Sequence, residues 1–166
     1  KPSLVYSVDD NLTTKFMSLL SLLPIFPLYY GGKTKFTPIH VTELAEIIFY
    51  VISKELYSKS IEAIGPEILS FKEILQILMR CIRKNTFLFP MPISLARFTA
   101  FFMQILPEPL ITQDQINLLK YDNIKTEKGT SNFDIGCPSK LMFEETVMKY
   151  AFNWTEGGQF SNATKK

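Results

Sequence analysis

The chain has 166 residues, 46% of them apolar and 13% aromatic, which is enough for one hydrophobic core and excludes a disordered or fibrous protein. Eighteen basic against sixteen acidic side chains leave a formal charge of +2, too balanced for bulk electrostatics to drive nucleic-acid binding. Cys81 and Cys137 form no CxxC or metal-spaced pair, so neither a disulfide framework nor a zinc site is expected, and a reducing compartment fits best.

The opening Lys1-Pro2-Ser3-Leu4-Val5-Tyr6 lacks the features of a signal peptide and reads as the interior of a longer gene product, with Leu4-Val5-Tyr6 as a short buried strand. Asp9-Asp10-Asn11 starts a helix over residues 12–23, which Pro24 ends. Tyr29-Tyr30-Gly31-Gly32 is a turn and residues 35–41 are extended. Thr42 is the expected N-cap of a helix to about residue 53, with Leu44, Ala45, Ile47, Ile48, Val51 and Ile52 as its apolar face. Residues 61–64 form a strand ending at Gly65-Pro66, and Ser70-x-x-Glu73 is a capping box for a helix with Phe71, Ile74, Leu75, Leu78, Cys81 and Ile82 at helical spacing. Residues 86–89 read as a short edge strand closed by Pro90 and Pro92. An apolar helix then covers residues 93–106, and Thr112-x-x-Gln115 opens another to about residue 121. After loops at Gly129 and Gly136-Cys137-Pro138, Ser139 caps a final helix reaching Trp154. Residues 155–166 form a polar tail expected to be mobile. The apolar stretches 16–30 and 93–106 are shorter than the roughly 20 residues a membrane-spanning helix needs. The sequons at Asn11, Asn153 and Asn162 carry no weight in a cytosolic protein.

Little in the pattern performs chemistry by itself. His40 is the only histidine and falls in a strand, where a structural role outweighs catalysis. Asp9-Asp10 reads better as a helix cap than as a metal pair, and Glu144-Glu145 as a solvated first turn. No metal site is expected. Gly31-Gly32-Lys33-Thr34-Lys35 offers either a phosphate contact without P-loop spacing or a basic surface turn. The helix expected at 93–106 carries a single charge, Arg97, and needs a cover: the protein's own core, a membrane interface or a partner.

Several phrases together resemble the second half of an atypical or extended short-chain dehydrogenase/reductase of the NAD-dependent epimerase/dehydratase kind. Lys1-Pro2-Ser3-Leu4-Val5-Tyr6 is similar to the strand entering the substrate region. The phrases Gly31-Gly32-Lys33-Thr34-Lys35-Phe36-Thr37-Pro38-Ile39-His40-Val41, Gly65-Pro66-Glu67, Leu69-Ser70-Phe71-Lys72-Glu73, Leu106-Pro107-Glu108-Pro109-Leu110 and Leu118-Leu119-Lys120-Tyr121-Asp122-Asn123 resemble the branch that contains the nucleotide-binding accessory subunit of respiratory complex I and its bacterial homologues. The fold class implied is α/β: the carboxyl-terminal portion of a Rossmann-type domain, helix-rich with a few short strands, spanning residues 1–154.

The resemblance implies that NADP or NAD binds the full-length protein and that this portion alone binds no cofactor. The family's glycine-rich turn and Tyr-x-x-x-Lys pair would lie upstream of Lys1, so no catalytic residue is assigned. Pro2, Ser3 and Val5 would wall the nicotinamide; Lys33, Lys35 and His40 are the candidates for substrate contact. By register from Val41, Phe36 stands where sugar-nucleotide epimerases carry a phosphate-binding arginine, which argues against a nucleotide sugar. The function implied is that of a complex I accessory-like nucleotide-binding protein, the alternative being an NAD(P)-dependent epimerase, dehydratase or reductase. Expected partners are the missing amino-terminal half and a membrane-bound respiratory complex or membrane surface, with self-association through the open sheet edge and no nucleic acid. The implied location is cytoplasmic, peripheral at the inner face of the inner membrane, or on the mitochondrial matrix side.

Overall fold

The computed structural model describes residues 1–10, 12–57, 59–92 and 117–155. Strand β1 (Val5–Tyr6) continues an extended run from Lys1. Asp10 then opens helix α1 (Thr13–Leu22): its Oδ1 accepts the Leu12 N–H at 2.7 Å and also the Thr13 N–H, and its Oδ2 accepts the Ser7 N–H at 2.9 Å. The Leu12 and Thr13 N–H groups are donors that a helix start leaves without intrahelical partners, so the aspartate acts as a cap. Pro24 follows the helix, as the sequence requires.

Strand β2 (Ile25–Tyr29) runs parallel to β7 (Phe87–Met91), from Ile25 opposite Phe87 to Tyr29 opposite Met91. Here the sequence reading is corrected twice. It placed no strand at β2, and it closed β7 at Pro90, whereas Pro27 and Pro90 both lie inside strands. Each belongs to a two-stranded ribbon with an open edge, where a missing N–H is tolerated.

A single 3-10 turn, Tyr30–Gly32, takes positive φ at all three residues: 50°, 64° and 67°. At Gly32 an added Cβ would come within 2.8 Å of Lys72 Cβ, so space as well as φ excludes a side chain. Strands β3 (Lys35–Phe36) and β4 (Ile39–His40) follow, then α2 (Val41–Ser53), β5 (Ile61–Glu62), β6 (Leu69–Ser70) and α3 (Phe71–Cys81). Strand β3 is antiparallel to β6. Strand β4 is parallel to β1, and β5 is parallel to β8 (Thr130–Ser131).

Further backbone bonds join two of the parallel pairs, β4 with β1 and β5 with β8, while β3 and β6 form a separate antiparallel pair. Ser3 N–H donates to Ala63 O at 3.0 Å and Ala63 N–H to Lys1 O at 3.0 Å, whereas Ile39 N–H donates to Leu4 O at 2.8 Å. Successive backbone groups of a strand face opposite edges, so the first strand lies between the β5 run and β4. Gly65 allows the neighbouring loop to close over it: a Cβ there would sit 1.6 Å from Pro38 O.

Helix α3 bears out the capping box, with Ser70 accepting from Glu73 N–H at 3.2 Å and Glu73 accepting from Ser70 N–H at 2.7 Å. Its buried residues Phe71, Ile74, Leu75, Ile77 and Leu78 pack with Met17 and Leu20 of α1, and with Phe143 and Val147 of α4 (Phe143–Met148). A 3-10 turn at Ala151–Trp154 closes the described chain, with Trp154 Nε1–H donating to Ser18 Oγ at 2.8 Å.

Two further expectations are corrected. The N-cap of α2 is His40, not Thr42: its Nδ1 accepts the Thr42 N–H at 3.4 Å. Ser139 does not cap the last helix, because its hydroxyl accepts a bond of 3.0 Å from Asn132 Nδ2, and α4 starts four residues later. Glu144 and Glu145 occupy the first turn of α4 as expected, and Glu144 adds a two-point ion pair with Arg80 at 2.7 and 3.0 Å. The helix expected at residues 93–106, the capping box at Thr112 and the tail beyond residue 155 lie outside the described residues.

Candidate functional site

In a parallel α/β sheet, ligands collect beyond the carboxyl ends of the strands, where loops rather than helices approach them. The cleft of about 630 Å³ in this chain lies instead beside the run that leads into β1. Ser3, Leu4 and Val5 form its floor; Asp10, Leu12, Lys15 and Phe16 come from the start of α1; Phe36, Phe71 and Ile74 come from β3 and α3. The remaining wall is the segment carrying Leu118, Leu119, Tyr121, Asp122 and Asn123.

That wall is held by backbone capture. Ser3 Oγ donates to Asn123 O at 2.7 Å and accepts the Thr37 N–H at 3.1 Å. Asp122 Oδ1 accepts the Lys35 N–H at 2.9 Å, Asn123 N–H donates to Lys35 O at 2.7 Å, and Thr34 Oγ1 donates to Leu119 O. The downstream connection is fixed similarly: Glu62 accepts from Thr126 N–H at 2.9 Å and Oγ1 at 2.7 Å. These bonds hold the Glu62 carboxyl below its usual range, with the Thr126 hydroxyl the largest cause. Buried Asn132 accepts the Ile64 N–H at 2.9 Å and donates to Cys137 O at 3.1 Å, shaping the glycine-proline loop.

Of the residues singled out in the sequence, Ser3 and Val5 line the cleft, and Phe36 does as well. Pro2 is exposed and bridges to Ala63. Lys33 and Lys35 are exposed on the far side of the turn, and His40 caps α2; none of the three is in the cleft lining. His40 stands edge-on to Tyr6, ring centroids 5.3 Å apart. Burial lowers its pKa below the ordinary histidine value, with Glu43 opposing and Lys149 adding to the shift. Tyr6 is pushed up to about 12, chiefly by burial, and stays neutral at physiological pH. The Leu12, Lys15 and Phe16 contribution was not foreseen, because a cap and two turns of helix carry no sign of what they face. No cluster with metal-ligand composition occurs among the described residues, and no helix among them is long and apolar enough to cross a membrane.

No family model matches the chain. It is 26% identical over 170 residues to NADH dehydrogenase [ubiquinone] 1 alpha subcomplex subunit 9, mitochondrial, of Arabidopsis thaliana, covering 95% of this chain and 42% of that one. Among solved structures it superposes on Thermus thermophilus UDP-glucose 4-epimerase in complex with NAD at TM-score 0.58 and 14% identity, covering 93% of this chain and 45% of the other. A GDP-mannoheptose C4 reductase from Campylobacter jejuni with NADP bound gives TM-score 0.55 at 18% identity, covering 92% and 47%. The fold is α/β and matches part of the Rossmann-type fold of these epimerase and reductase structures. The chain spans less than half the length of these relatives.

Proposed function

We propose that this chain is the substrate- and partner-facing part of an NAD(P)(H)-binding atypical short-chain dehydrogenase/reductase that serves a respiratory NADH dehydrogenase as a nucleotide-binding accessory protein. The observation that carries the reading is the outer face of α2. Val41, Ala45, Ile48, Phe49 and Ile52 recur at helical spacing and are all exposed, Phe49 to 73%. An exposed apolar helix stripe needs a second layer. The dinucleotide-binding half is that layer, seated beside the edge of β4. The nicotinamide would then meet the cleft across Ser3 and Val5. The Arabidopsis relative is named as a subunit of NADH dehydrogenase, a role that we extend to the present chain.

Phe36 weighs against the competing reading, a nucleotide-sugar epimerase or dehydratase, because it puts a phenyl ring into the cleft at the position expected to carry a phosphate-binding arginine. Location at the inner membrane surface and contact with the respiratory complex belong to the same proposal. The test is a fluorescence titration of NADH and NADPH into this chain and into a version extended upstream through the glycine-rich turn. Saturable binding by the longer protein alone is expected. Equal binding by the short chain would relocate the nucleotide site to it, and no binding by either would sink the reading. An intact upstream Tyr-x-x-x-Lys pair together with turnover of a nucleotide sugar would favour the enzyme.

A further inference from the structure

We infer that the cleft beside β1 binds the hydrocarbon portion of a long-chain acyl compound. This rests on the reading of the chain as the substrate side of a larger fold and adds the ligand class. The cleft is concave and three of its walls come from different elements of this chain, so it is a pocket rather than a bare face. Its volume of about 630 Å³ falls within the roughly 300–1,000 Å³ of small-molecule sites.

Several polar groups that line the cleft already have partners. Ser3 Oγ is engaged with Asn123 O and the Thr37 N–H. The Asp10 carboxylate is engaged with the Ser7, Leu12 and Thr13 N–H groups, and Asp122 Oδ1 with the Lys35 N–H. Two of the three charged lining residues are acids, and no arginine lines the cleft among the described residues. The third is Lys15, so a phosphate or diphosphate would meet a single cationic side chain set against two carboxylates. A hydrocarbon asks for no charged partner: each methylene buried against Leu4, Val5, Phe16, Phe36, Phe71 or Ile74 strengthens binding about fourfold. At the rim, Leu118 and Tyr121 are 71% and 66% exposed, which leaves a polar head group in water while the chain is buried.

The probe is dansyl-labelled undecanoic acid, titrated into the full chain. A saturable, blue-shifted rise in emission is expected, and UDP-glucose should not displace it. Leu118→Asp puts a charge on the rim at an exposed position, so the fold, checked by circular dichroism, is kept while binding weakens by about tenfold or more. Phe49→Asp, on the outer face of α2, should leave binding unchanged. Non-saturating emission, displacement by UDP-glucose, no effect of L118D, or equal weakening by F49D would each overturn the inference. The nucleotide titrations are separate: NAD(P)H binding by the extended protein without probe binding refutes the ligand class alone, and the reverse refutes the nucleotide reading alone.

Discussion

His40 illustrates how one side chain can be placed correctly in a strand and still be misread. The residue ends β4, as its extended neighbours require, but its ring turns forward to accept the Thr42 N–H at Nδ1. A backbone N–H can only donate, so the neutral ring carries its proton on Nε2, and protonation of Nδ1 would abolish the cap. Sequence reasoning chose Thr42 because threonine is a common cap and histidine is not. Removing the ring in His40→Ala should destabilise the chain by about 1 kcal/mol. The pH dependence has a definite sign. The folded pKa is lowered, first by burial, so between the folded value and the unfolded one near 6.5 the unfolded chain holds more protons. Stability is therefore full above about pH 6.5 and falls as pH drops toward the folded pKa. His40→Asn should keep a cap and remove this loss. Urea midpoints at pH 7.5 and 5.5 for parent and variant measure it; an unchanged pH slope in the variant would refute the role.

At the scale of elements, the legible parts were those whose signals are local. The Ser70-Glu73 capping box and the Asp10 helix start are short-range chemistry, and both formed as read. Strand β2 was missed because its signal is split by Pro24 and Pro27, and its partner β7 lies some sixty residues away. The start of α4 was misplaced for a similar reason. Met142, its N-cap, supplies no side-chain bond. Instead Glu67 accepts the Phe143 N–H at 2.7 Å, and Glu43 accepts the N–H groups of Lys140 and Leu141, so two distant carboxylates do what Ser139 was expected to do. Such caps leave no local spacing to find. Glu43 is 7% exposed, so its truncation strands two donors in a site where water replaces them poorly. Glu43→Ala should cost about 2 kcal/mol, and Glu43→Gln, which keeps one acceptor oxygen, should cost less. Equal losses for the two variants, by chemical denaturation, would show that packing rather than the bonds holds the segment.

For the whole molecule, the sequence conveyed the fold class through phrases whose resemblance spans distant elements, whereas of the six candidate site residues only Ser3 and Val5 line the cleft. The sequence did not convey which apolar positions would be covered. Ile48 and Ile52 were placed on the apolar face of α2 on spacing alone; they are 52% and 59% exposed, while Ile47 on the same face is buried. Helical periodicity reports that a face is apolar and is silent about whether the same chain covers it. The distinction has a measurable consequence. In this chain Ile48→Glu replaces one solvated side chain by another, so its stability should change by no more than about 0.5 kcal/mol. In the upstream-extended protein the same change would place a carboxylate against a packed layer, losing the buried isoleucine and stranding a charge, at a cost of about 3 kcal/mol or more. Thermal denaturation of the four proteins, short and extended, parent and variant, gives this difference directly. A penalty confined to the extended protein assigns the α2 stripe to the dinucleotide-binding half. An equally small effect in both would leave that half seated elsewhere, and the stripe would then be the surface through which the protein meets its partner or a second copy of itself.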